Sequence, residues 1–136
     1  MDGFPEVLSR QDCLRLLTTV PVGRVVYTQH ALPAVAPVGF VLDGTELLLR
    51  LPEGNELAAA VRRSVVAFQA DDVDPVTQGG WTVTVTGWAR EETDQAQLRR
   101  LAALPLRPWI AGGREHFIKI TTDLVSGSRL GPRVPA

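Results

Sequence analysis

The sequence of 136 residues holds one cysteine, one methionine, one tyrosine, two histidines and, among its 14 basic residues, a single lysine. The lone Cys13 excludes an internal disulfide and the clustered thiolates of a structural zinc site. His30 and His116 lie far apart, and neither has a second ligand at i, i+4 or a neighbouring cysteine, so no metal site is expected. No apolar run approaches the roughly 20 residues that cross a bilayer, and Met1-Asp2-Gly3-Phe4-Pro5-Glu6 is acidic where a secretory leader is basic, so the expected location is cytoplasmic with no membrane partner. A net charge of −1 gives no broad attraction to nucleic acid or anionic lipid, and any basic site must be local. A Gly-rich phosphate loop, a nucleophile elbow and a basic stripe with interleaved aromatics are all missing, which leaves nucleoside triphosphate hydrolysis, esterase chemistry and RNA binding without support. The acidic run Asp71, Asp72, Asp74 lacks the glycine and distal glutamate of a calcium loop and reads as a solvated loop.

What is present suffices for one core. Hydrophobic residues make up 45% of the chain, and the length suits one domain over 1–136 with loose tails at 1–8 and 131–136. Ser9-Arg10-Gln11-Asp12 fits a capping box, and Leu14 and Leu17 recur at helical spacing with Cys13 or Leu16, predicting a helix over 9–19 in which Cys13 is a small core residue. From Val22 to Thr28 the residues are β-branched and aromatic, a strand. His30 to Pro33 turns the chain, and 34–42 is a second strand in which Pro37 marks an edge or a bulge. Asp43-Gly44 signals a tight hairpin into a third strand, Glu46 to Leu51.

Asn55 is a plausible N-cap for a helix from Glu56 to Arg63, and Ser64 to Ala70 returns as a buried strand. The clearest alternation follows, with Trp81, Val83, Val85, Gly87 and Ala89 on one face and Thr82, Thr84, Thr86, Trp88 and Arg90 on the other. Trp81 and Trp88 therefore cannot share one core, and the one outside it belongs to an interface or a flat ligand. Thr93 reads as the cap of a helix with Leu98, Leu101 and Ala102 inward, Phe117 to Ile120 is a last strand, and the remainder reads as a tail. Six strands joined by hairpins, with two or three short helices, predict a mainly β chain and a small antiparallel barrel, closed or split.

The stretch Leu47-Leu48-Leu49-Arg50-Leu51-Pro52-Glu53-Gly54-Asn55-Glu56-Leu57 carries the local basic feature. A strand turning into a helix start beside an arginine suits an anion such as a phosphate; the plainer alternative is a surface arginine at a strand end.

Several stretches, in order, resemble the flavin-binding split-barrel family related to pyridoxamine 5′-phosphate oxidase: Val22-Gly23-Arg24-Val25; Pro33 with Ala36-Pro37-Val38-Gly39-Phe40; Arg50 to Leu57; Val66-Ala67-Phe68 with Asp71, Asp72 and Asp74; Gly80-Trp81-Thr82-Val83 with Gly87-Trp88-Ala89; Leu104-Pro105-Leu106-Arg107-Pro108-Trp109; and Ile118 to Leu130. The resemblance spans about Leu14 to Leu130 and implies a six-stranded split barrel that forms a homodimer, with FMN, or in some branches F420 or haem, in clefts between the subunits. It implies redox chemistry on a small-molecule substrate. By likeness Arg50, Leu51, Gly54, Asn55, Glu56 and Leu57 form the phosphate-binding segment, the strand through Pro37 and Val38 passes the ring system, and Trp81 and Trp109 match aromatics near the cleft. No residue stands out as acid or base.

The sequence departs from the family pattern at two places. A serine or threonine usually follows the arginine and a lysine or arginine usually precedes the helix leucine, where this chain has Leu51 and Glu56. Two unit charges about 4 Å apart at an effective dielectric near 20 interact by about 4 kcal/mol, so a carboxylate facing the phosphate would lower FMN affinity a thousandfold or more. Three readings stand: an FMN-dependent oxidoreductase, a member without cofactor acting as a binding or regulatory module, and a member using F420 or haem.

Overall fold

The computed structural model describes residues 5–54, 56–106 and 115–131. Ser9 caps α1 (Arg10–Leu17), its hydroxyl accepting from the Asp12 N–H at 3.1 Å, and Cys13 and Leu17 are fully buried on the inner face. Burial pushes the Cys13 thiol above its ordinary pKa, with the Asp12 charge adding to the effect, which suits a core residue.

Strands β2 (Val22–Gln29) and β3 (Leu32–Asp43) form a hairpin whose two loop residues, His30 and Ala31, both have positive φ. Tight two-residue hairpins demand that conformation, so the turn is shorter than expected and β3 starts at Leu32 rather than Ala34. Among the described residues the only ladder partner of β3 over 32–39 is β2, since β4 (Glu46–Pro52) pairs with Phe40–Asp43 alone. Pro37 therefore sits on an open flank where its missing N–H costs no ladder bond. Gly44, at φ 63°, makes the β3–β4 turn.

Helix α2 is shorter than expected, Glu56–Ala60 rather than through Arg63. The Val61 N–H closes on the Leu57 carbonyl at 3.0 Å, and Arg63, at φ 50°, breaks the helical course and leads into β5 (Ser64–Val73). That strand runs three residues beyond Ala70, so Asp71 and Asp72 are ladder residues opposite Thr82 and Trp81 rather than part of a loop. The Asp74 carboxylate organises the turn by accepting from the Val76 N–H at 2.8 Å. In β6 (Gly80–Glu91) the expected alternation holds: Trp81 is buried and Trp88 is 54% exposed.

The cap of α3 (Gln95–Ala102) is Asp94, one residue later than expected, and its carboxylate takes the Gln97 N–H at 3.1 Å. A carboxylate is as good a cap as a hydroxyl, so spacing alone did not separate Thr93 from Asp94. Leu101 is buried, whereas Ala102 is exposed rather than inward. After β7 (Glu115–Ile120) comes β8 (Leu124–Leu130), read above as tail, and Glu6–Val7, read as a loose end, forms the short β1 against Ser128 and Arg129 of β8.

All pairings are antiparallel, and the order β6–β5–β2–β3–β4–β7 closes because β7 also pairs with β6. The result is a mainly β, six-stranded closed antiparallel barrel of split-barrel type, with β8 and β1 as extra strands and three short helices among the described residues. Closure depends on β6 serving two neighbours: Gly80–Thr86 pairs with β8 and Ala89–Glu91 with β7. Gly87 stands at the switch, where a Cβ would lie 1.7 Å from the Thr121 carbonyl oxygen. Only glycine admits that approach, which Trp88 fastens through hydrogen bonds to Thr121 of 2.8 and 2.9 Å.

Val25, Leu47, Leu49, Phe68, Val83, Val85, Ile118 and Ile120 fill the barrel, with Phe40 edge-on to Phe68 at 4.7 Å. A second, smaller cluster of Leu48, Leu101, Leu106 and Phe117 packs between the outer face of the β4–β7 ladder and α3.

Candidate anion site on the outer face of β4

The period of two along β4 sorts its residues between these clusters. Leu47, Leu49 and Leu51 enter the barrel core, while Leu48 joins the outer cluster and Arg50 shares its face. Arg50 pairs in register with Phe117, and its guanidinium lies 5.3 Å from the centre of that ring, a cation–π contact. Its Nε donates to Glu115 Oε2 and its Nη1 to the Leu106 carbonyl at 2.8 Å. Arg50 and Glu115 are only 19% and 20% exposed, so solvent screens their ion pair weakly.

Leu106 belongs to two features at once. It accepts from Arg50, and with Pro105, Val20, Pro21, Gly39 and Val41 it lines a cavity of about 600 Å³. That volume lies within the range of small-molecule sites, and the lining is mostly apolar with backbone groups at hand. Arg50 does not itself line the cavity and is linked to it through Leu106. A charged, partly buried arginine so close to an apolar cavity can hold an anionic group while the cavity takes an aromatic body.

The residues expected in the phosphate segment are spread over several surroundings. Leu51 and Leu57 are buried in the barrel core, which accounts for an apolar residue where the family has a hydroxyl. Gly54 is exposed at φ 82°, as its turn requires. Glu56 is exposed and accepts from Gln29 Nε2 at 3.4 Å, beside a smaller cavity of about 410 Å³ lined by Thr28, Gln29, His30, Ala59 and Ala60. Its partner Gln29 thus lies on β2, whereas Glu115 and Leu106, the partners of Arg50, lie on β7 and after α3. Pro37 is exposed and Val38 is buried, on the strand whose next residues line the larger cavity. Trp81 is 6% exposed in the barrel core, on the opposite side of the wall from the face that carries Arg50. Asn55 and Trp109 lie outside the described residues.

Sequence reasoning missed Glu115 and Leu106, because contacts 65 and 56 residues away leave no local signal. It also missed the held state of His116, whose Nδ1 lies 2.6 Å from Glu91 Oε2, the other oxygen of that carboxylate taking Arg62 at 3.0 Å. Neither histidine lines the larger cavity. Among the described residues no group of three or more histidine, cysteine, aspartate or glutamate side chains is placed to hold a metal ion, and no helix is long and apolar enough to cross a membrane.

A closed antiparallel split barrel with a basic site on its outer wall is the class that fold and site define. The sequence pattern of the pyridoxamine 5′-phosphate oxidase family matches residues 9–129, and the chain belongs to that family. An uncharacterized protein of Mycobacterium tuberculosis strain H37Rv is 38% identical over 128 residues, covering 90% of this chain and 84% of its own length. Among solved structures, the FAD binding protein from Mycobacterium smegmatis is 34% identical with a TM-score of 0.82, over 92% of this chain and 98% of that one. A conserved protein of unknown function from Corynebacterium diphtheriae is 28% identical with a TM-score of 0.77, over 91% and 96%.

Proposed function

We propose that the chain is a flavin-binding protein that seats a flavin nucleotide, FMN or FAD, with a phosphate at Arg50 and the ring system in the adjoining cavity, and that it serves redox chemistry on a small organic substrate. The observation that carries this reading is the junction of Arg50 and the 600 Å³ cavity at Leu106. The 34% identity to a protein that binds FAD supports it over nearly the whole chain. A bound flavin would supply hydride or single-electron transfer. The protein's part is to fix the phosphate through the Arg50 fork, to keep water from the ring with the apolar walls around Val20, Val41 and Leu106, and to hold Arg50 in place over Phe117. Helix α2 has only five residues, so its dipole adds little and Arg50 bears the phosphate interaction.

A homodimer belongs to the same proposal. Leu124, Thr86, Ala67, Val26 and Val35 stand opposite one another in register across five strands on the outer wall, and Val65 and Trp88 pair beside them. Leu124, Val35, Val65 and Trp88 are each more than half exposed, a contiguous apolar surface of the kind a second copy covers. Sedimentation at micromolar concentration should give a dimer for the native chain and a monomer for Trp88→Asp; a native monomer removes this part of the reading.

The central test is retention of visible flavin absorbance after incubation with FMN or FAD and desalting. The native protein should keep one of the two and Arg50→Ala should keep neither. A native protein that keeps neither, or an Arg50→Ala variant that keeps flavin as the native chain does, overturns the site.

A further inference from the structure

We infer that Glu115 is a built-in anionic competitor for Arg50 that sets which flavin phosphate the site accepts, favouring a phosphodiester with one charge per phosphate over a terminal phosphate monoester. The inference rests on the proposed placement of a phosphate at Arg50. Arg50 is not an unmatched cation: Glu115 Oε2 already accepts from its Nε, and the Leu106 carbonyl takes Nη1. The strand register places Glu115 beside the guanidinium: it opens β7 opposite Pro52, on the face of the ladder that carries Phe117 and Arg50, so its carboxylate stays within reach of any anion that Arg50 takes. The two side chains are about four-fifths buried, which keeps their fields strong.

An incoming phosphate meets this carboxylate as well as the arginine. It must displace Glu115 from Nε or share the guanidinium with it, and in either case the repulsion grows with the charge of the phosphate. A phosphate monoester has its second pKa near 6 and is largely dianionic at pH 7, as in FMN. Each phosphate of the FAD diphosphate carries one negative charge. Repulsion from one fixed carboxylate is therefore about twice as large for the monoester at the same distance.

Glu115→Gln tests this, because the amide nearly matches the carboxylate in shape and can still accept from Nε. Flavin fluorescence titrations of the native chain, Glu115→Gln, Glu115→Asp and Arg50→Ala, with FMN, FAD and inorganic phosphate as competitor, give the readout, and circular dichroism reports folding. The native chain should prefer FAD to FMN. Glu115→Gln should bind FMN and inorganic phosphate about tenfold tighter or better, with a smaller gain for FAD, so that the preference collapses. Glu115→Asp, which draws the charge back by one methylene, should move FMN affinity in the same direction by less and serves where the glutamine variant does not fold. Unchanged or weaker FMN binding in the folded Gln or Asp variant overturns the role of Glu115. If Arg50→Ala abolishes binding at the same time, the site itself stands; if Arg50→Ala binds both flavins normally, the site reading falls and this inference with it.

Discussion

The β4–β7 ladder carries an ion cluster at each end of its outer face, and the two are built on opposite plans. At one end Lys119, only 7% exposed, lies 3.1 Å from Asp43 and 3.5 Å from Glu46. Asp43 is gripped by both Nη atoms of Arg100 at 2.9 and 2.8 Å, and Glu46 by both Nη atoms of Arg90 at 2.5 and 3.1 Å. Close by, Arg10 holds the Thr122 hydroxyl and carbonyl at 2.8 and 2.7 Å, and the same hydroxyl donates to the Thr45 carbonyl. At the other end Arg50 has a single described carboxylate, Glu115, and reaches the larger cavity through Leu106. Redundant partners make a closing element that ties β4, β6, β7 and α3 together. A single described carboxylate, near a cavity, is the arrangement that suits the proposed site, because its arginine can be offered a second anion.

The largest effect should separate stability from binding. Lys119→Met leaves Asp43 and Glu46 with their arginines but removes the cation buried between them; loss of one member of a buried ion group costs about 3–5 kcal/mol, and the surviving arginines place this change near the lower figure. Urea unfolding should show that loss, while flavin affinity of the folded fraction stays native. Arg50→Ala should give the mirror image, a loss of flavin affinity of about a hundredfold with a smaller stability cost of about 1–2 kcal/mol, since the Glu115 side chain, at 20% exposure, keeps more access to water than that of Lys119, at 8%. If Lys119→Met weakens flavin binding as much as Arg50→Ala does, the two ends are coupled and the contrast between them fails.

The barrel was legible where one strand carries its own evidence. The alternation from Trp81 to Arg90 correctly separated a buried Trp81 from an exposed Trp88, and Asp43-Gly44 located the β3–β4 turn. Strand β8 was not legible: Leu-Val-Ser-Gly-Ser-Arg-Leu mixes small and polar residues because it lies outside the closed ring and is only half-buried along its length. The short β1 escaped for the same reason, having only β8 to lean on. At the site, Arg50 could be found because it interrupts an apolar strand ahead of a turn. Glu115 and Leu106 could not, since their meeting with Arg50 is made by the β4–β7 register and the path of the chain after α3. The weight placed on Leu51 and Glu56 also needed the fold: one fills the core, and the other is drawn toward Gln29.

The smallest effect is a difference in acid response. Bidentate hydrogen bonds from Arg100 hold the Asp43 carboxyl well below the usual carboxylate range against the opposing effect of burial, with Lys119 assisting, and Arg90 lowers Glu46 in the same way. A carboxyl whose pKa is depressed on folding stabilises the native state above its unfolded pKa, about 3.9 for aspartate and 4.3 for glutamate, and that contribution is lost as pH falls toward the folded value. Denaturation midpoints of the native chain should therefore hold near neutrality and decline below about pH 4, where the unfolded chain takes up protons that the folded one refuses. Asp43→Asn should start from a lower midpoint at neutral pH and decline less steeply in acid, because the proton-binding difference at this position is gone. An Asp43→Asn slope as steep as the native one would mean that the acid response arises elsewhere, and the closed end of the ladder would lose its claim to being the better-fastened of the two.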